Sequence, residues 1–222
     1  MKCTALPGHP RLSAIGSIAF LWTGSAIVWG SGVLDEKNTC PSGLEGMDFR
    51  CVRGPKTREH LMKKGYAVPE TYCDPGVLAP YFFQSVLSSQ KPFDIGIFPH
   101  NTDSPSWYRS MKFPEGKKVM FLSYQDPIDI TIRRLSMCKR VASSSLHGII
   151  VSEAMGIPAA WYRLTTMNDP FKFYDYYEGT GRLGAKCYDI RQKRPDEVDF
   201  FSMKPSPSGQ FDIKGLLDTC PF

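Results

Sequence analysis

Residues 141–162 read VASSSLHGIIVSEAMGIPAAWY, and their pattern decides the fold. Val141-Ala142 is a short apolar run that reads as a strand. Ser143-Ser144-Ser145 interrupts it, and Leu146-His147-Gly148 opens a helix that runs on through Ile149, Ile150, Ala154 and Met155. Gly156 and Pro158 stop that helix. Ala159-Ala160-Trp161-Tyr162 is the next apolar run. Strand, serine-rich loop, helix and strand together form the repeating unit of a layered α/β protein.

The same alternation extends outward. Asp94-Ile95-Gly96-Ile97-Phe98 and Lys118 to Ser123 are apolar strands, and Asp126-Pro127 opens a helix with Ile128, Ile132 and Leu135 at near-helical spacing. Phe171 to Tyr177 is an aromatic-rich turn or helix, and Phe211 to Thr219 a final helix. The second half therefore predicts β-β-α-β-α-β-α, a Rossmann-like domain. Upstream, Ala26 to Trp29 and Phe49 to Val52 read as strands. Pro55 and Gly65 bracket a helix of about ten residues, with proline at its start and glycine past its end. Val68 leads into a strand near Tyr72 and Cys73. This first half is a partial α/β unit. The turn-rich stretch 84–93 places the boundary, giving a partial N-terminal Rossmann-like domain over 1–88 and a C-terminal one over 89–222.

Composition bounds the function. The chain has 222 residues, 42% hydrophobic and 22% charged, with 27 Lys and Arg against 22 Asp and Glu. That is an ordinary globular composition, and it excludes a disordered or collagen-like chain. The net charge of +5 is spread out, densest at Arg133-Arg134 and Arg191 to Arg194. A nucleic-acid binder concentrates its charge more than this. The seven cysteines are odd in number and contain no C-x-x-C pair, so reduced thiols and a cytoplasmic location are expected. Residues 11–33 superficially resemble a secretory signal, but Ser13, Gly16, Ser17, Thr23, Gly24 and Ser25 break the apolar run. A membrane span needs about 20 mostly apolar residues, so two strands, or a strand and a short helix, are expected there. The isolated histidines 9, 60, 100 and 147 offer no metal-ligand spacing.

The chemistry concentrates at SSSLHG, residues 143–148. Hydroxyls and the free amides of a helix start converge there, and a helix N-terminus carries a partial positive charge of about half a unit. His147, in the first turn, is placed to give a proton to a group beside a bound anion. The plainer alternative is that the serines cap the helix and His147 packs beneath a loop. A serine hydrolase would need G-x-S-x-G, which is missing.

The pieces AIGSIAF, VWGSGV, VRGPKTREHLMKKG, CDPGVLAPYF, IGIFPH, ASSSLHGIIVSEAMGIPAAWYR, FKFYDYYEGTGR and LLDTCPF occur in that order from residue 14 to 222. In this the chain resembles the polysaccharide pyruvyltransferase family. The resemblance implies a glycosyltransferase-B-like architecture of two Rossmann-like domains. It also implies transfer of the pyruvyl group of phosphoenolpyruvate onto two sugar hydroxyls of a cell-surface polysaccharide, giving a pyruvate ketal. Phosphoenolpyruvate and a glycan or lipid-linked saccharide are the implied partners, with no metal or other cofactor.

His147 corresponds to the family's general acid. Arg53 of RGPKT offers a bidentate fork to phosphate or carboxylate. Ser144, Ser145 and the following amides suit either anion, and Lys172 adds a point charge. Glu153 lies on the helix of His147 and orients a ligand or balances charge. His100 closes a strand end, where open α/β sheets place ligands. Asp74 is expected to fix a turn. Trp161, Tyr162, Phe173, Tyr174, Tyr176 and Tyr177 are expected mainly in the core, with a sugar-stacking platform as the alternative.

Two departures stand out. Ser145 occupies the position where the family most often has arginine. The family's opening strand and loop have no counterpart before residue 11, so a truncated first domain is expected. The competing functions are a nucleotide-sugar-dependent glycosyltransferase on the same scaffold, or a truncated, non-catalytic homologue.

Overall fold

A computed structural model describes residues 11–19, 25–35, 37, 46–166 and 169–222. The chain is a mixed α/β protein with two parallel sheets. The strands are β1 Arg11–Ser13, β2 Ala26–Trp29, β3 Met47–Cys51, β4 Ile95–Phe98, β5 Val119–Phe121, β6 Val141–Ser143, β7 Ala159–Arg163 and β8 Cys187–Asp189. The α-helices are α1 Pro55–Met62, α2 Ala79–Phe82, α3 Pro105–Arg109, α4 Ile128–Ser136, α5 Leu146–Ala154, α6 Phe171–Gly179 and α7 Ile213–Asp218. Most expected elements are present. The sequence pattern missed α2, α3 and β8, each of three to five residues and too short to carry a periodic signal. Tyr72 forms a single parallel bridge to Val52 in place of the expected strand.

Two compact units share the chain. Unit 1 comprises Met1–Pro75, Asp169–Leu183 and Gly209–Phe222; unit 2 comprises Gly76–Asn168 and Gly184–Ser208. This division differs from a single boundary between residues 88 and 89. The reason lies in α6 and α7, which are late in sequence but pack with the first strands. Phe171 joins Val28, Val52 and Leu61 in one core, and Trp29 Nε1 donates to Leu216 O at 2.8 Å.

Unit 1 has the parallel sheet β1-β2-β3, with Val28 opposite both Ser13 and Phe49. Residues 11–13 and 26–29 of the signal-like stretch are thus strands, as expected, while 20–24 lie outside the described residues. Among the described residues no helix is long and apolar enough to cross a membrane.

Unit 2 carries the parallel sheet β5-β4-β6-β7-β8. Strand side chains alternate between faces, and both faces are covered here. Ile95, Ile97, Ala142 and Tyr162 enter one core with Tyr108 and Phe200. Phe98 and Val141 enter the other with Ile132, Leu135 and Val151. Burial on both sides explains why these strands are nearly all apolar. After β4 the chain builds β5 on one side, then crosses to β6 on the other. The sheet order reverses at that point, the kind of place where open α/β sheets hold ligands.

Candidate active site

β4 ends in Pro99-His100 and β6 in Ser144-Ser145, so His100 and the SSSLHG segment meet at that reversal point. Register brings them there: Phe98 lies opposite Ser143. Ser143 Oγ donates to Phe98 O at 2.8 Å or Ser145 O at 2.9 Å, and accepts from Ser145 N at 3.0 Å. Ser144 is wholly buried. Its Oγ accepts from His100 N at 2.8 Å and donates to Asp103 Oδ2 at 2.5 Å. Two of the three serine hydroxyls therefore tie the strand ends together. Ser144, expected to hold an anion, links β4 to β6 through these bonds.

Ser145 is the N-cap residue of α5, in extended conformation, and its side chain makes no capping bond. The first turn of α5 holds no acidic residue. The helix dipole at this end is therefore not balanced by a carboxylate of its own. Gly148 lets this helix end sit down on the strands. A Cβ there would fall 2.4 Å from Ser143 Oγ and 2.7 Å from Phe98 Cδ1, distances only glycine avoids. His147 is the second residue of α5 and half-buried, with its Nε2 shielded from solvent. Glu153 lies in the last turn of the same helix. Six residues at 1.5 Å each put it about 9 Å along the axis from His147, so the fold separates the two.

Sequence reading missed the group that organises this corner. Asp103 is 6% exposed. Its Oδ2 accepts from Ser144 Oγ, from Tyr108 Oη at 2.6 Å and from His100 N at 3.3 Å. Tyr108 Oη in turn lies 2.7 Å from Tyr162 Oη. Burial first, then the neighbouring phenol and the Asp103 charge, pushes the Tyr108 hydroxyl far above its ordinary range. Both phenols thus stay protonated, Tyr108 donating to Asp103 and accepting from Tyr162. The only local signal was an Asp just before Ser104-Pro105, the start of α3. His100 is also fixed from its other side, with Nδ1 2.8 Å from Thr102 Oγ1.

Arg53 and Lys172 belong to unit 1 and Ser144, Ser145, His100, His147 and Glu153 to unit 2. Arg53 is fully enclosed. Its Nε donates to Asp175 Oδ2 at 2.9 Å, Nη1 to Ser17 Oγ at 2.7 Å and Nη2 to Val33 O at 2.7 Å. Thr57 of the same RGPKT motif donates twice to Asp175, from N at 2.8 Å and from Oγ1 at 2.7 Å. A Cβ on Gly54 would fall 1.9 Å from Asp175 O. The motif is thus a clasp that holds α6 to the start of α1, and the fork expected for a ligand anion is taken up by protein groups. Lys172 is 7% exposed. Burial first, then the Arg53 charge, pulls its amine down to about 8, against the opposing pull of Asp169. Trp161, Tyr162, Phe173, Tyr176 and Tyr177 are core residues, each at most 1% exposed, and Tyr174 is half-buried.

A family model for polysaccharide pyruvyl transferase matches residues 25–164, which include β4, β6, α5 and the serine-rich junction. The chain belongs to the polysaccharide pyruvyl transferase family. This family member is also similar to an uncharacterized protein of Acanthamoeba polyphaga mimivirus, 30% identical over 183 residues. The aligned part is 79% of this chain and 62% of that relative's length. No solved structure gives a significant match.

Proposed function

We propose that the chain is a transferase that moves the pyruvyl group of phosphoenolpyruvate onto two hydroxyls of a saccharide. The observation that carries this reading is the α5 N-terminus at the β4–β6 reversal point. It has no side-chain cap bond and no acidic residue in its first turn, and His147 is its second residue. Family membership supports the same chemistry.

In this reading the amides of α5 and the Ser145 hydroxyl hold an anionic group of the donor. His147 donates a proton to C3 of the enol, and C2 becomes cation-like. One sugar hydroxyl adds to C2 and returns its proton to the imidazole. The C2–O bond to phosphate breaks, with the electron pair leaving on phosphate. The second hydroxyl closes the ketal and its proton goes to the departing phosphate. The balance is phosphoenolpyruvate plus diol giving ketal plus inorganic phosphate. Arg53 receives no ligand role, since Asp175, Ser17 and Val33 occupy it.

The test uses phosphoenolpyruvate and a set of oligosaccharides, with phosphate release followed by ³¹P NMR and the ketal methyl by ¹H NMR. His147→Gln is expected to keep the thermal stabilisation by phosphoenolpyruvate and to lose about 100-fold or more in turnover, the usual scale of general acid catalysis. Absence of stabilisation of the wild type by phosphoenolpyruvate would overturn the reading. Stabilisation by a nucleotide sugar instead would move the chain to the glycosyltransferases.

A further inference from the structure

Beside the serine-rich junction, unit 2 contains a cavity of about 270 Å³ at the carboxyl ends of β4 and β5. Its walls are mainly apolar: Pro99, Tyr108, Phe121, Leu122 and Tyr124. Its polar lining is Asp103 with His100, Arg109 and Ser123. Two features of these walls have no explanation in folding alone.

The first is the Asp103 carboxyl group. Oδ2 accepts three hydrogen bonds, but Oδ1 is equally buried and meets no donor among the described residues. A buried oxygen left without a partner costs roughly 1–3 kcal/mol, and buried polar atoms are nearly always satisfied. The second is a pair of exposed aromatics. Phe121 is 42% and Tyr124 54% exposed, both on the wall of this cavity. Phe121 is also held in place. Its ring stands edge-on to Tyr108 at 6.2 Å and tilted against Phe113 at 5.8 Å. It is a fixed apolar face at the cavity wall.

We propose that this cavity binds one neutral sugar ring, with a ring hydroxyl donating to Asp103 Oδ1 and the C–H face of the ring packed on Phe121 and Tyr124. The chemistry selects this class in two steps. The orphan oxygen requires a donor, so the ligand carries O–H or N–H. The aromatic and proline walls require an apolar face as well. Size agrees, because the volume falls below the ~300–1,000 Å³ of drug-sized ligand sites and suits a single ring. Asp103 also holds Ser144 and the His100 amide, so the ring binds one hydrogen-bond link from the proposed donor site. The assignment of this sugar as the acceptor rests on the pyruvyl-transfer reading, whereas its binding does not.

The test titrates the full chain with galactose, glucose, mannose and N-acetylglucosamine, observed by saturation-transfer NMR, and in parallel measures thermal stabilisation by phosphoenolpyruvate. Asp103→Asn retains an oxygen for Tyr108 and Ser144 but presents an amide donor where the hydroxyl would donate. Phe121→Ala removes the packing face from an edge strand. At least one of the sugars is expected to bind the wild type at millimolar concentration, with each variant at least tenfold weaker. Stabilisation by phosphoenolpyruvate is expected to be unchanged in Phe121→Ala. If no sugar binds at tens of millimolar, or if binding ignores both substitutions, the cavity assignment is wrong. If sugars bind as expected while phosphoenolpyruvate gives no stabilisation, the cavity stands and the pyruvyl-transfer reading falls.

Discussion

Asp175 and Arg53 are both closed off from solvent, and the pair is satisfied only because Thr57, Ser17 and Val33 take up the remaining bonds. Removing one member of such a pair strands a buried charge, which costs about 3–5 kcal/mol. Asp175→Asn is therefore expected to lower unfolding stability by about that amount, measured by urea titration. Lys172 offers a pH-dependent counterpart. Its amine falls from 10.5 to about 8 in the folded chain, chiefly through burial. Below pH 8 both folded and unfolded forms carry the charge, and its burial cost stands in full. Between about pH 8 and 10.5 the unfolded chain binds more protons, so stability rises with pH. The full change is on the order of 3 kcal/mol. Lys172→Met is expected to be more stable than wild type at pH 7 and to flatten this rise, as read from urea midpoints across pH 7–10. Neither role could be taken from sequence alone. RGPKT and FKFYDYY lie far apart in the chain, and a basic residue in a motif looks the same whether it meets a ligand or a distant aspartate.

At the scale of elements, the serine-rich junction shows how strand register places chemistry. Phe98 opposite Ser143 fixes where β4 and β6 stop, and the α5 N-terminus follows directly from Ser145. Sequence reading located this helix start within a residue, because an apolar run, three small polar residues and a second apolar run mark it locally. It did not show that the Ser144 hydroxyl meets Asp103 and the His100 amide. Ser145→Asp separates the two uses of the helix end. A carboxylate at an N-terminus stabilises a helix by about 0.3–1 kcal/mol, so the variant is expected to be slightly more stable in urea. The same charge repels the donor, so stabilisation by phosphoenolpyruvate is expected to vanish. A variant that keeps full stabilisation by phosphoenolpyruvate would show that the anion is held elsewhere.

At the scale of the whole molecule, the chain passes from one unit to the other after Pro75, Asn168, Leu183 and Ser208. Unit 1 is consequently assembled from three separate segments. A fragment of residues 1–88 lacks α6 and α7, and with them Phe171, Asp175 and the Leu216 carbonyl that Trp29 uses. It keeps Arg53 without its carboxylate. Such a fragment is expected to be unfolded, with collapsed amide dispersion in its ¹H–¹⁵N NMR spectrum. A folded fragment would show that the late helices are accessory.

The α/β class, the parallel strand-helix alternation and the position of the serine-rich junction were legible in the sequence, because burial of both sheet faces and helix starts leave signals within a few neighbouring residues. The family likeness was legible for the same reason, being carried by short motifs. The partners of those motifs were decided only by the tertiary structure. Arg53 lies 122 residues from Asp175, and Ser144 lies 41 from Asp103. Which group satisfies a buried charge or hydroxyl depends on where distant segments pack, and no local pattern of residues encodes that distance.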